Sequence, residues 1–286
     1  RVHAKRELAF GAPQTPGVYL FHDARDQVLY VGRARDLRAR LRSYFRSDRQ
    51  RPAVEAALGA LHRIEWRETG SELVAGLEEL RLIRELRPPA NARAVRPDRY
   101  VYLRRRGDTV VCSQTPSPFG PIRSRKRAHL AARALQSAEW EQPADALPKL
   151  RVKLKRLAHE LRFEDAARLR DRIEALEDVV RDLAELERLR RIEAVLVVDK
   201  RAVWVAKGQV VCVRPWGGSS GVEWQAGLAA VARAEPTFAP EAADELALVA
   251  ATLRRPPPEL KVVPLGEWRS ANAHSATAGA SWSSTA

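Results

Sequence analysis

The chain has 286 residues, a net charge of +14 and 45% hydrophobic residues, enough for more than one compact domain. No stretch approaches the eighteen consecutive apolar residues of a membrane span, and no signal-peptide pattern opens the chain. The charge is segregated: residues 1–130 carry a net +13 and residues 131–286 a net +1, the footprint of a polyanion binder confined to the N-terminal part. Cys112 and Cys212 have no partner at metal-ligand or redox-motif spacing, which fits ordinary small apolar residues in a reducing compartment, the cytoplasm. The six histidines are scattered in the same way and read as structural or surface residues. There is no methionine and the first residue is Arg1, so an upstream segment or an initiator residue is expected.

After a basic lead-in ending at Pro13 and Pro16, read as extended, two alternating runs form a hairpin. They are Gly17–His22 and Val28–Val31, separated by a polar turn. Asp36 caps a helix that buries Leu37, Leu41 and Phe45 and covers its other faces with arginine. Phenols at Tyr19 and Tyr30 beside guanidinium groups suit a phosphodiester. Pro52 starts a second helix reaching about Leu61, and residues 62–68 alternate as a third strand. Thr69 with Glu72 makes a capping box for a helix that ends before Pro88. On that helix Glu78 and Glu85 have Arg81 at helical spacing. Glu79 has only Ala75, Gly76, Leu82 and Ile83, so it needs a cation from elsewhere, and a divalent metal is the candidate.

Residues 100–113 read as a hairpin turning at Gly107–Asp108, followed by a basic helix from Ser124 to Ser137. Residues 138–148 read as a linker, and 149–191 as an antiparallel helical pair bent near Arg162–Phe163. From Ile192 the period becomes two, giving a three-stranded meander with a Lys207–Gly208 turn. A Gly/Ser loop, two amphipathic helices and a short strand after Pro258 complete a small α/β unit. The tail from Ser270 is Ser/Ala/Thr-rich and aperiodic, the composition of a disordered segment. The expected class is therefore α+β. Its boundaries are 1–98 (three-stranded antiparallel sheet with flanking helices), 99–137, 138–148, 149–191 (helical hairpin), 192–269 (small α/β unit) and 270–286.

The triplets GlyValTyr (17–19) and TyrValGly (30–32), the thirteen residues after the second, and the helix at 71–91 together resemble a GIY-YIG endonuclease domain of the UvrC type. Residues 157–173 resemble the UVR motif through which UvrC and UvrB bind each other. The resemblance implies a structure-specific DNA endonuclease that hydrolyses one strand in excision repair, with Mg²⁺ or Mn²⁺ held by Glu79. It assigns Tyr19 to the attacking water, Tyr30 to the scissile phosphate, Arg40 to the transition state and Asn91 to the active-site asparagine position. Arg33, where the family has lysine, would clamp the phosphate, and Ala90 stands where tyrosine is usual. Arg33 and Arg40 are expected to lower the phenol's pKa. Arg33, Arg35, Arg38 and Arg42 would take DNA. Phe163, Ala166, Ala167 and Arg170 would take a UvrB-like protein or a second copy. The alternatives are a DNA-binding adaptor that has lost turnover, and the nuclease half of an exonuclease fusion. No second nuclease domain is legible at the C-terminus.

Overall fold

A computed structural model describes residues 7–46, 51–91, 100–136, 139–217 and 220–266. The expected tail therefore lies outside the described residues. Among those residues no helix is long and apolar enough to cross a membrane.

The first sheet comprises β1 (Gly17–His22), β2 (Val28–Ala34) and β3 (Arg63–Glu68) in the order β2-β1-β3, all antiparallel. Tyr19 stands opposite Gly32 on β2 and Trp66 on β3. Helix α1 (Leu37–Tyr44) begins where Asp36 accepts a hydrogen bond from the Ala39 N–H. It buries Leu37, Leu41 and Tyr44 against the sheet. Helix α2 (Pro52–Ala60) precedes β3. The lead-in is not merely extended: Glu7–Ala9 form a single tight turn, and Ala9 and Ala12 join the core with Phe21 and Leu41.

Helix α3 (Glu72–Leu86) is capped by Ser71 rather than Thr69. The Thr69 hydroxyl is committed to the Pro16 and Ser71 carbonyls, whereas Ser71 sits in extended backbone and accepts from the Val74 N–H. The helix stops at Arg87, in the left-handed region, ahead of Pro88.

Helix α4 (Arg125–Ala132) follows the hairpin of β4 (Tyr102–Arg106) and β5 (Thr109–Ser113), and is shorter than its basic run. Residues 139–148 are not a linker. Trp140 packs on Phe119 with ring centroids 4.3 Å apart, and Ala146 is fully buried beside Leu103 and Leu176. Glu139 is buried, and its carboxylate takes the Lys149 ammonium. Buried apolar groups spread through a polar-looking stretch anchored this segment. Helices α5 (Ala146–His159) and α6 (Phe163–Arg190) form the hairpin, closed by Leu157, Ala166, Leu169 and Ile173.

The last sheet has the order β8-β7-β6-β9: β6 (Ala194–Val198), β7 (Arg201–Ala206), β8 (Gln209–Pro215) and β9 (Lys261–Pro264). Helices α7 (Ser220–Arg233) and α8 (Pro240–Arg254) accompany it, and Trp204 and Trp224 lie in its core. By contacts the chain divides into two units, one of 1–92, 191–235 and 248–286, the other of 93–190 and 236–247. The hairpin of β4 and β5, helix α4 and the helical pair α5–α6 thus share one unit, with Val110, Ala128 and Val179 in a single core. The C-terminal sheet goes with the first sheet instead of standing alone.

Candidate active site

The sequence needs two close approaches to assemble this site. Tyr19 leans across β2, where a Cβ on Gly32 would collide with its hydroxyl. That is the physical content of the second triplet's glycine: the ring can lie flat only over a residue without a side chain. The Tyr19 hydroxyl then meets the Tyr44 hydroxyl at 2.6 Å. Arg40, one turn before Tyr44 on α1, donates to both, at 3.3 Å to Tyr19 and 3.0 Å to Tyr44. Its guanidinium also lies 4.6 Å from the centroid of the Tyr44 ring. Tyr30 is buried against Tyr19 and Phe21.

The second approach is at Gly76. A side chain there would occupy the place of an Arg33 guanidinium nitrogen and lie 2.8 Å from a Leu248 methyl. Arg33 therefore runs over the surface of α3 and places its Nε 3.2 Å from the Glu79 carboxylate. The cation that Glu79 lacks on its own helix comes from β2, not from a neighbouring turn. Burial raises the Glu79 pKa above the ordinary carboxylate value; the Arg33 charge and backbone N–H, with Arg40 and Arg51, oppose this without cancelling it.

The arginines do not bring the Tyr19 pKa below the ordinary phenol value. Burial first, then the neighbouring Tyr44 and Tyr30 phenols, push it well above the ordinary phenol value, and Arg40 offsets only part. Tyr44 is raised for the same leading reason, its burial. Both phenols are neutral hydroxyls at neutral pH, fit to donate and to orient a water, and the sequence-level expectation of an activated phenolate is corrected accordingly.

Asn91 is spent on the backbone. Its side-chain oxygen accepts from the Val31 N–H at 2.8 Å and its NH₂ donates to the Val31 carbonyl at 2.9 Å. Strand β2 is the sheet edge, so Asn91 supplies there the pairing that a fourth strand would. Among the described residues Arg35 and Arg42 make no ion pair, Arg33 pairs with Glu79 alone, and the Arg38 Nε donates to the Ala12 carbonyl. Tyr44 was not legible as a site residue. The signal lay in its spacing of four from Arg40 and seven from Leu37, which puts it on the sheet-facing side of α1.

A metal site here has one acid at its centre. Among the described residues no group of three or more His, Cys, Asp or Glu converges. A partly desolvated carboxylate with arginines beside it suits Mg²⁺, which keeps most of its waters and takes one or two carboxylates plus substrate oxygens. The donor set therefore fits such an ion, with Glu79 as the residue that would hold it.

An edge-capped three-stranded sheet, a tyrosine pair bridged by arginine and the half-buried Glu79 on the third helix are what these residues assemble. Residues 15–92 match the UvrC-like GIY-YIG domain and residues 145–179 the UvrB/uvrC motif, so the chain carries both. The UvrABC system protein C of Alcanivorax borkumensis is 47% identical over 90 residues, covering 31% of this chain and 15% of that protein. That of Symbiobacterium thermophilum is 30% identical over 226 residues, covering 58% of this chain and 36% of that protein. A Mycobacterium tuberculosis protein whose name gives it both exonuclease and endonuclease functions is 35% identical over 130 residues, covering 43% of this chain and 20% of its own. The chain thus spans well under half the length of these relatives. The magnesium-bound GIY-YIG N-terminal endonuclease domain of UvrC from Thermotoga maritima is 31% identical, with 32% of this chain and 94% of that one aligned at a TM-score of 0.27.

Proposed function

We propose that this chain is a divalent-metal-dependent endonuclease that nicks one strand of DNA at repair sites. The observation that carries the reading is the convergence of Arg40, Tyr19 and Tyr44 beside the Arg33–Glu79 pair. Arg40 and Arg33 supply fixed positive charge where a phosphoryl group gains negative charge. The Tyr19 hydroxyl, held by Arg40 and Tyr44, orients the water that attacks phosphorus, and Tyr30 packs behind it. A bound Mg²⁺ or Mn²⁺ would lower the water's pKa and offset charge on the leaving oxygen. Glu79 is the residue to hold it, and must be ionised to do so. Asn91 acts by fixing the β2 edge that carries Tyr30 and Arg33.

The helical hairpin is the partner-binding element of this reading. Phe163 is 65% exposed and Leu161 72%, at the bend, with Val152 also bare. Ala167 and Arg170 are exposed beside them, while Ala166 is buried within the hairpin and is not available to a partner. The partner is a UvrB-like protein carrying the matching hairpin, or a second copy of this chain. Both cysteines are free thiols, consistent with action in the cytoplasm.

One observation favours the rival, a DNA-binding adaptor without turnover: the single carboxylate is already engaged by Arg33. Incubating the chain with supercoiled plasmid and Mg²⁺ or Mn²⁺, with and without chelator, separates the two. Open circles that appear only with metal support the nuclease. Binding without any nicking in either ion leaves the adaptor.

A further inference from the structure

The second unit carries a run of charge that the nuclease site does not use. Residues 100–136 hold eight Lys and Arg against one acid, Asp108. On the hairpin, Leu103 and Val110 face the core, so Arg104 and Arg106 stand together on the opposite face, with Arg105 exposed on the other. On α4 the buried side is Ala128, Ala131 and Ala132, which leaves Arg125, His129 and Arg133 as an exposed stripe about 12 Å long with Lys126 beside it.

Ordinary solvated arginines in this same unit look different. Along α5, α6 and the turn between them most are paired: Arg151 with Glu177, Arg156 with Glu160, Arg162 with Asp165, Arg188 with Glu185, whereas Arg170 and Arg172 are not, among the described residues. In 100–136 only Arg123 and Arg127 find carboxylates among the described residues, at Asp244 for the first and Asp178 and Asp182 for the second. Arg104, Arg105, Arg106, Arg125, Lys126 and Arg133 make no ion pair among the described residues, and Arg104 and Arg106, neighbours on one strand face, repel one another unless an anion lies across them.

We propose that β4–β5 and α4 form a second, sequence-independent binding surface for the phosphodiester backbone of duplex DNA. The proposal rests on the DNA nuclease reading for its choice of polyanion. Duplex is favoured over single strand because no aromatic is presented for base stacking. Tyr100 and Tyr102 are buried with their hydroxyls on Asp244 and the Phe238 carbonyl, and Phe119 is stacked on Trp140. Backbone contact alone gives affinity that is steep in salt and indifferent to sequence.

The test uses the full chain with chelator present, so that binding is read without cleavage. Duplex affinity is measured across a salt series for wild type and for a variant with Arg104, Arg106, Arg125 and Lys126 all changed to Gln. A control variant changes Arg151, Arg156, Arg162 and Arg188 to Gln, removing equal charge from the paired helices. Circular dichroism and thermal unfolding check that both are folded. The surface variant should lose at least about tenfold in affinity and flatten the salt slope by about 2–4, on the scale of one contact per slope unit. The control should change neither. Equal losses in the two variants would mean that net charge alone matters, and no loss in the surface variant would mean that the patch is only solvated; either overturns the proposal, as would a wild type that binds no duplex. Metal-dependent nicking, measured separately, reports on the nuclease reading: a wild type that binds but never nicks sinks that reading and leaves this surface standing.

Discussion

At the scale of the residue, two positions separate positioning from stability. Gly76 lies mid-helix, where alanine is favoured over glycine by about 1 kcal/mol. A Cβ there would displace the end of Arg33 and press on Leu248. Gly76→Ala is therefore expected to leave thermal stability within a few degrees of wild type while cutting the nicking rate about as much as Arg33→Ala does. The double variant should be no slower than either single one, because both remove the same Arg33–Glu79 geometry. Rates that fall additively would show that Gly76 acts by another route. Glu79 carries the opposite signature. Its pKa is raised by burial, so its ionised form costs the fold stability above the usual carboxylate value and costs nothing well below it. Glu79→Gln should raise the melting temperature near pH 7, with the gain shrinking as pH falls toward 4. Nicking by the wild type should rise with pH through the same window as the carboxylate ionises. A variant less stable at pH 7 than at pH 4, relative to wild type, would contradict burial as the leading cause.

At the scale of the element, the strands, the arginine helix and the third helix were legible because each has one dominant period and a clear stop. The hairpin turns on polar residues, α1 carries Leu37 and Leu41 four apart, and α3 ends at a proline pair. Glu79 stood out for lacking a partner on its helix, yet Arg33 was unreadable as that partner, since it comes from a strand and depends on the bare surface at Gly76. The direction of the Tyr19 pKa was missed for a related reason: burial among phenols is a property of packing, and the sequence shows only the nearby arginines. Residues 139–148 misled because scattered Trp140 and Ala146 in a polar stretch have no periodicity, though they fill a core. Asn91 was marked by resemblance, and its bonds to Val31 add a mechanical role. Asn91→Ala leaves two backbone groups of the β2 edge without a protein partner and should cost about 1–3 kcal/mol in urea unfolding. It should slow nicking as well, through a loosened strand carrying Tyr30 and Arg33. Unchanged stability would leave Asn91 with a purely chemical role.

At the scale of the whole molecule, each of the two units carries a surface of its own: a reactive cluster on the first sheet, and bare arginines with a bare hairpin bend on the second unit. Phe163 is exposed, so Phe163→Ala should leave stability nearly unchanged while weakening self-association, or binding of a UvrB-like hairpin, by at least about tenfold in sedimentation and titration. A wild type that binds neither would reduce the hairpin to a spacer. The central claim is that Glu79 of the first unit makes this chain a metal-dependent nuclease. It is tested most directly by measuring plasmid nicking and duplex affinity together, in Mg²⁺, for wild type and Glu79→Gln. The account predicts that the variant binds DNA as tightly as wild type, or slightly more tightly for the lost negative charge, and produces no open circles. Nicking by the variant at the wild-type rate would contradict it.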